Sequence, residues 1–216
     1  MSACKLFSFV LAGALLFSSG SLVAQQSEKE LKKDIKSKAV KEARKEAKGF
    51  KKQGYYIAPG ALPMEKQIEK AWMRQYETDD IGYPLYIVAT GNSVAGTQSA
   101  AKLQATELAK LELAGSISTE VAALIENSVA NQQFNTEEAA TVQKTVAAAK
   151  NIIAQDLGRT IPLFEIYKKV GKNVEANVRV AYNSEMAKEI ARKAITKKLE
   201  EETEIAHEKL EKLMNF

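Results

Sequence analysis

The segment Gly91–Thr97 has the residue types and spacing that come closest to a reactive site in this sequence. A strand that turns into a helix can bind an anion through the free N–H groups of the helix start. Gly91 and Gly96 have the spacing of phosphate-loop glycines, but Thr97 stands where that motif requires lysine. A serine-nucleophile elbow around Ser93 would need its second glycine one place earlier. We therefore interpret the segment as a strand-to-helix turn whose glycines meet steric needs. An enzyme that uses this turn stays open as an alternative.

The other chemically capable residues have no partners at useful spacing. The only histidine, His207, lies in a charged helical stretch and is expected to face solvent. The only cysteine, Cys4, precedes the apolar run at the N-terminus. The paired carboxylates Asp79-Asp80 and Glu137-Glu138 are predicted to lie in a loop and at a helix start. We therefore predict no catalytic residue, no metal site and no cofactor, and a protein that is not an enzyme.

The N-terminal region combines an export signal with a basic helix. Lys5, an apolar run from Leu6 to Phe17 and small residues up to Ala24 predict a cleavable signal peptide over residues 1–24. The protein is therefore expected to be exported, to the periplasm or the cell surface. Between Glu28 and Lys52 there are eleven basic and five acidic residues, whereas the chain from Gln53 onward has nineteen basic and twenty-two acidic ones.

Residues 27–52 form a helical arm by propensity, and two interpretations of it stay open. It is a solvated helix that packs lightly on the body or a partner, with Glu42 and Glu46 paired to neighbouring lysines. Alternatively it is a basic surface for anionic lipid or glycan, and nucleic acid is not expected as a partner outside the cytoplasm. The candidate contacts for this surface are Lys32, Lys33, Lys36, Arg44, Lys51 and Lys52.

The body, residues 53–198, is predicted to be a small antiparallel sheet packed on a long helical hairpin. The apolar run Leu85–Gly91 indicates a strand in the middle of the sheet, buried on both faces. An alanine-rich helix follows, with a bend or a change of packing partner after Gly115. Asn135 and Glu138 have the spacing of a capping box at the start of the next helix. That helix is expected to end near Gly158 and to complete the hairpin.

A β-hairpin is predicted around a three-residue loop, Gly171–Asn173. This loop places Phe164 opposite Val180 and Ile166 opposite Val178, so that the apolar residues of both strands share one face. It also places Glu165 opposite Arg179, and Lys169 opposite Glu175, which adds attraction between the strands. After the hairpin, a last helix continues into a charged tail, 199–216, which is expected to project beyond the body.

Three stretches carry a family resemblance: Tyr86–Ser93, the alanine-rich helix segment Ala100–Ala114 and the closing Val178–Tyr182. Together they resemble the LPP-twenty lipoprotein-like domain of bacterial cell envelopes, over about residues 85–194. A related layout occurs in flagellar outer-membrane assembly proteins. The resemblance implies an α+β domain, with about three antiparallel strands on helices, and a non-enzymatic envelope role. It implies no site residues, and this chain departs from the lipoproteins because no cysteine follows its signal.

The expected function is that of an exported structural or interaction protein of the cell envelope. The charged terminal helices are expected to contact a partner, either an envelope protein or a second copy of the chain. Binding of an anionic membrane or glycan through the basic arm is the first alternative, and the enzyme at Gly91–Thr97 is the second.

Overall fold

The protein has an α+β fold, seen in a computed structural model that describes residues 20–131, 134–203, 205 and 207–214. Residues 1–19 of the predicted signal peptide lie outside the described part of the chain. The helices are α1 (Gly20–Lys52), α2 (Met64–Tyr76), α3 (Gln98–Asn131), α4 (Thr136–Ala148), α5 (Lys150–Asp156), α6 (Ser184–Glu202) and α7 (His207–Leu213). The strands are β1 (Tyr86–Ala95), β2 (Ile161–Val170) and β3 (Asn173–Asn183).

The three strands form one antiparallel sheet in the order β1-β3-β2. The prediction that the apolar run at Leu85–Gly91 is a central strand is therefore wrong, because β1 lies at an edge and β3 is central. The run is apolar because helices cover the sheet on both faces, and burial of a strand's faces does not require strand neighbours on both sides.

Each face of the sheet belongs to its own hydrophobic cluster. Tyr167, Val178 and Val180 are buried in the cluster that includes the alanines of α3. Phe164 and Ile166 are buried in the cluster formed with α1 and α2. The apolar residues of β2 and those of β3 therefore largely face opposite sides, which the alternating pattern alone does not reveal.

The predicted register of the β2–β3 hairpin is wrong by one residue. Phe164 pairs with Arg179, Ile166 pairs with Asn177, and a register irregularity lies between Pro162 and Phe164. Val170 pairs with Asn173, so the loop has two residues, and Gly171 adopts the left-handed backbone with a φ of 60°. The expected attractive pairs are replaced by others: Arg179 pairs with Glu46 of α1, Glu165 with Lys102 of α3, and Glu175 with Lys168.

Helix α3 is a single helix whose packing partner changes along its length, as predicted from the pattern around Gly115. It packs on β1 and β3 and also on α4 and α5. Ala105 and Ala109 of its first half lie against Gly91 of β1, whereas Ser118 of its second half donates to the Val146 carbonyl of α4. The capping box of α4 is confirmed, since Asn135 accepts from the Glu138 N–H and the Glu138 carboxylate accepts from the Asn135 N–H. The second helix of the hairpin is interrupted at Ala149, so it forms two helices, α4 and α5.

The C-terminal tail does not project as expected. Leu210, Leu213 and Met214 are buried in the main cluster, and α7 packs against α3 and α6. The thin apolar stripe of the tail therefore belongs to the core. The charged residues of α6 form i,i+4 pairs on its exposed side, such as Lys193 with Glu189.

Candidate interaction surface

The inner side of α1 is a row of alanines that packs against α2. Ala39, Ala43 and Ala47 follow one another at four-residue spacing and are at most 1% exposed. The methyl side chain of alanine lets α1 lie close to Ile68 and Ala71 of α2, which are buried beside it. This packing decides which side of α1 faces solvent.

Glu46 ties α1 to both α2 and the sheet. Its carboxylate accepts hydrogen bonds from Trp72 Nε1 at 2.7 Å and from Arg179 Nη2 at 2.8 Å. Arg179 also donates from Nε to Thr90 Oγ1 at 3.1 Å, and its guanidinium lies 4.6 Å from the centre of the Phe164 ring. The prediction that Glu46 pairs with a neighbouring lysine is therefore wrong, because the packing of α1 turns this carboxylate towards the sheet.

Between Lys36 and Lys52 the outer side of α1 carries only positive charge. Every exposed residue from Lys36 to Lys52 is a lysine or arginine, apart from Ser37. The two acidic residues of the same stretch, Glu42 and Glu46, are half-buried. We call the exposed cations the cationic ridge: Lys36, Lys38, Lys41, Arg44, Lys45, Lys48, Lys51 and Lys52. Between Lys36 and Lys52 the fold has therefore separated the charges of α1, since both carboxylates are half-buried and the cations remain exposed. Nearer the N-terminus of the same helix, the acidic residues Glu30 and Asp34 are exposed.

Two members of the ridge have partners within the protein. Lys51 forms an ion pair with Glu65 of α2 at 2.5 Å, and the Lys38 ammonium lies 4.9 Å from the centre of the Tyr76 ring. Among the described residues the other six members form no ion pair. Most of the charge on the ridge is therefore available to an external anion.

The structure brings together three of the six residues predicted as anion contacts. Lys33, Lys36 and Arg44 line one groove of about 590 Å³ along α1. Lys52 is exposed elsewhere on the same helix, and Lys51 is exposed but paired. Lys32 belongs to α1, but its side chain lies outside the described part of the structure.

The sequence-based set omits four cations of the ridge, Lys38, Lys41, Lys45 and Lys48. A helical projection centred on Ala39, Ala43 and Ala47 would find them, because residues opposite the apolar stripe of a helix face solvent. Sequence reasoning could not find that Glu46 is turned inward, since Arg179 lies 133 residues away along the chain.

The residues of Gly91–Thr97 have structural roles, and most of the segment is strand. Residues up to Ala95 pair with β3. The Ser93 hydroxyl donates to Gln104 Oε1 at 2.7 Å, and the Thr97 hydroxyl accepts from the Ala100 N–H at 3.2 Å near the start of α3. The steric need predicted for the glycines is confirmed at Gly91, where a Cβ atom would lie 1.9 Å from the Ala105 carbonyl oxygen.

The remaining polar candidates also serve local structure. Asp79 Oδ1 accepts from the N–H groups of Ile81 and Tyr83 at 3.0 and 2.7 Å, which holds the loop before β1. His207 begins α7, and its side chain lies outside the described residues. Within the described part of the chain no three His, Cys, Asp or Glu residues are grouped so that they could hold a metal ion. In the same residues no helix is long and apolar enough to cross a membrane.

A groove of about 930 Å³ lies between the second half of α3 and the helices α4 and α5. Its three hydroxyl groups donate to main-chain carbonyls: Ser116 to Glu112 at 3.2 Å, Thr119 to Gly115 at 2.9 Å and Ser118 to Val146 at 3.3 Å. No base is therefore hydrogen-bonded to these hydroxyls, as activation of a nucleophile would require.

Two tyrosines on opposite faces of the sheet, Tyr55 and Tyr167, have raised pKa values. Tyr55 donates to Glu175 at 2.6 Å, and burial together with this carboxylate raises the pKa of Tyr55 to about 12. Tyr167 donates to Glu165 at 3.2 Å, and burial together with that carboxylate raises the pKa of Tyr167 to about 12. Both phenols act as hydrogen-bond donors only while they are protonated.

We expect the protein to lose stability at high pH through these two tyrosines. Their pKa is 10.0 without the folded environment and about 12 in it. The unfolded chain therefore releases the protons first, so the stabilisation is complete below pH 10 and is lost as the pH rises towards 12. Absorbance titration should show part of the seven tyrosines ionising late, and Tyr55→Phe and Tyr167→Phe should each remove one late step. A late step of unchanged size in both variants would contradict this assignment.

Comparison of the chain with protein-family models, with curated proteins and with solved structures found no match.

Proposed function

We propose that this protein is a non-catalytic interaction protein of the cell envelope, and that it binds an anionic partner through the cationic ridge of α1. The observation that carries the proposal is the separation of charge between Lys36 and Lys52 of α1, where eight cations are exposed and both carboxylates are half-buried. Charge that served only to keep the helix soluble would not require this separation. An unbroken cationic surface raises the local concentration of anions and speeds their association.

The location in the envelope rests on the N-terminal pattern and on the lipoprotein-like resemblance. A charged start, a short apolar run and small residues before Gln25 are typical of secretory signals. The resemblance adds a non-enzymatic envelope role. Export with cleavage of the leader and location in the envelope can both be checked. Cells that express the full chain are fractionated, and the N-terminus of the exported protein is sequenced. Intact leader on cytosolic protein would overturn them.

Between the two terminal helices, α1 is the better contact surface. The apolar stripe of α7 is used inside the protein, because Leu210 and Leu213 are buried. The lysines of α6 are largely neutralised by glutamates one turn away, such as Glu202 beside Lys198 at 2.6 Å. Most of the ridge has neither limitation, since six of its eight members form no ion pair among the described residues. All of its members except Lys36 and Lys51 lie off the alanine row that attaches α1 to the body.

Reversing two central cations of the ridge, Arg44→Glu with Lys48→Glu, is expected to abolish most binding to an isolated envelope fraction. Each exposed cation near an anionic surface contributes about 1 kcal/mol, so the double reversal should lower the affinity by roughly tenfold or more. Co-sedimentation with washed envelopes at low ionic strength measures the effect.

The matched control is Lys144→Glu with Lys172→Glu, since both lysines are exposed and lie outside α1. It changes the net charge by the same amount, so it should leave binding within roughly twofold of the starting protein if contact is local to the ridge. Equal losses in the two double variants would show a nonspecific charge effect. Unchanged binding of the ridge variant would refute the proposed function.

A further inference from the structure

We infer that the anionic partner is the phosphate-bearing surface of a lipid bilayer, on which the cationic ridge lies without inserting. This inference rests on the proposed function and names the partner of the same surface. Three features of the ridge favour a bilayer: its shape, the type of its cations and the absence of exposed apolar or aromatic side chains on it.

The ridge is extended along one helix. From Lys36 to Lys52 it runs along about 24 Å of one helix, at 1.5 Å per residue. Successive residues turn by about 100°, so its members spread over roughly half of the helix circumference. The alanine row attaches another side of α1 to α2, so for all members except Lys36 and Lys51 the body does not stand between the ridge and a flat surface. A broad anionic plane can meet several rows of these cations together, whereas a small anion would meet only one or two.

The cations of the ridge are seven lysines and one arginine. Lysine presents a compact, strongly hydrated charge on a flexible stem, whereas arginine binds phosphate through a fixed planar fork. A lysine-rich surface therefore responds to charge density more than to the geometry of one phosphate group. Clusters of this kind beside a membrane bind anionic headgroups.

The ridge has no exposed aromatic or large apolar residue. Val40 is half-buried, and the Phe50 ring packs edge-on against Tyr55 and Phe164 at 5.2 and 6.0 Å. Trp72 stacks on Tyr76 at 5.5 Å and donates to Glu46. Helices that insert at a bilayer interface expose an apolar face, and proteins that bind single-stranded nucleic acid present aromatic platforms. The ridge has neither, which favours contact at the headgroup level.

Vesicles of phosphatidylcholine with about 30% phosphatidylglycerol are the test, with pure phosphatidylcholine vesicles as the reference. The full exported chain should bind the anionic vesicles at low salt and dissociate as salt screens the headgroups. Arg44→Glu with Lys48→Glu should lower the partition coefficient by roughly tenfold or more, and Lys144→Glu with Lys172→Glu by less than roughly twofold. Binding to neutral vesicles that equals binding to anionic ones would overturn the inference.

The single tryptophan separates surface contact from insertion, because Trp72 lies beside Glu46 at the base of the ridge. Its emission should not shift when the protein binds anionic vesicles, and a blue shift would contradict the headgroup-level contact.

A phosphorylated polysaccharide and duplex DNA serve as competing ligands. Ridge-dependent binding to envelopes or to either polymer, without binding to vesicles, would reject the lipid surface and leave the proposed function standing. If Arg44→Glu with Lys48→Glu left binding to envelopes, vesicles and both polymers unchanged, the lipid inference and the proposed function would both be rejected.

Discussion

Replacing Gly91 by alanine is expected to destabilise the fold by about 3 kcal/mol, the upper end of the usual cost of overpacking a core. A Cβ atom at this position would lie 1.9 Å from the Ala105 carbonyl oxygen and 2.6 Å from the Ala109 nitrogen. Both neighbours are main-chain atoms of α3, so no side chain can rotate away, and the helix must move off the sheet. Urea unfolding followed by circular dichroism measures the change.

Gly96→Ala is the matched control, because a Cβ atom there has no heavy atom within 4 Å. Its backbone φ is not in the left-handed region, so alanine should be neutral or stabilise by roughly 0.5 kcal/mol through the unfolded state. Similar unfolding free energies for the two variants would show that α3 does not lie against β1 as described.

Replacing Glu46 by alanine is expected to lower the unfolding free energy by about 2 kcal/mol, because a mostly buried guanidinium loses its carboxylate partner and an indole N–H loses its acceptor. Arg179 is 16% exposed, and Trp72 Nε1 has Glu46 as its partner at 2.7 Å. The cost falls below that of a fully buried ion pair, since water can still reach part of the site. Thermal and urea unfolding measure it, and Trp72 emission should change because its hydrogen bond is lost.

Glu42→Ala is the control on the same helix, one turn earlier. Glu42 is half-buried, and no hydrogen bond or ion pair of its carboxylate occurs among the described residues, so its loss should change stability by less than roughly 0.5 kcal/mol. A double variant, Glu46→Ala with Arg179→Met, should recover part of the stability, because the uncompensated charge is gone. Equal effects of Glu42→Ala and Glu46→Ala would contradict the inward-facing network.

The local sequence predicts some features of the β2–β3 hairpin and not others. The strands, the position of the turn and the alternation were predictable from residues 161–183, but the length of the turn and the register were not. The prediction assumed that one sheet face is buried, so that Phe164 and Val180 must share it. Helices cover both faces here, and the apolar side chains of β2 and β3 are divided between them. Which face a residue occupies depends on elements far away along the chain.

The charge of the cationic ridge also depends partly on the local sequence of α1 and partly on contacts with distant elements. The excess of basic residues in 28–52 and the helical spacing of Ala39, Ala43 and Ala47 predict a basic helix with one apolar side. They do not predict that Glu46 is turned inward, because its partners Trp72 and Arg179 come from α2 and β3. The uniform positive charge of the ridge is therefore a tertiary property.

The sequence by itself determined most of the helical stretches, the three strands, the α+β class and the basic character of α1, because periodicity, capping and composition act over a few residues. Tertiary structure alone decided the edge position of β1, the hairpin register, the return of α7 to the core and the inward turn of Glu46. Each of these depends on which surfaces meet across long separations, and local patterns carry no information about a partner that the chain supplies a hundred residues later.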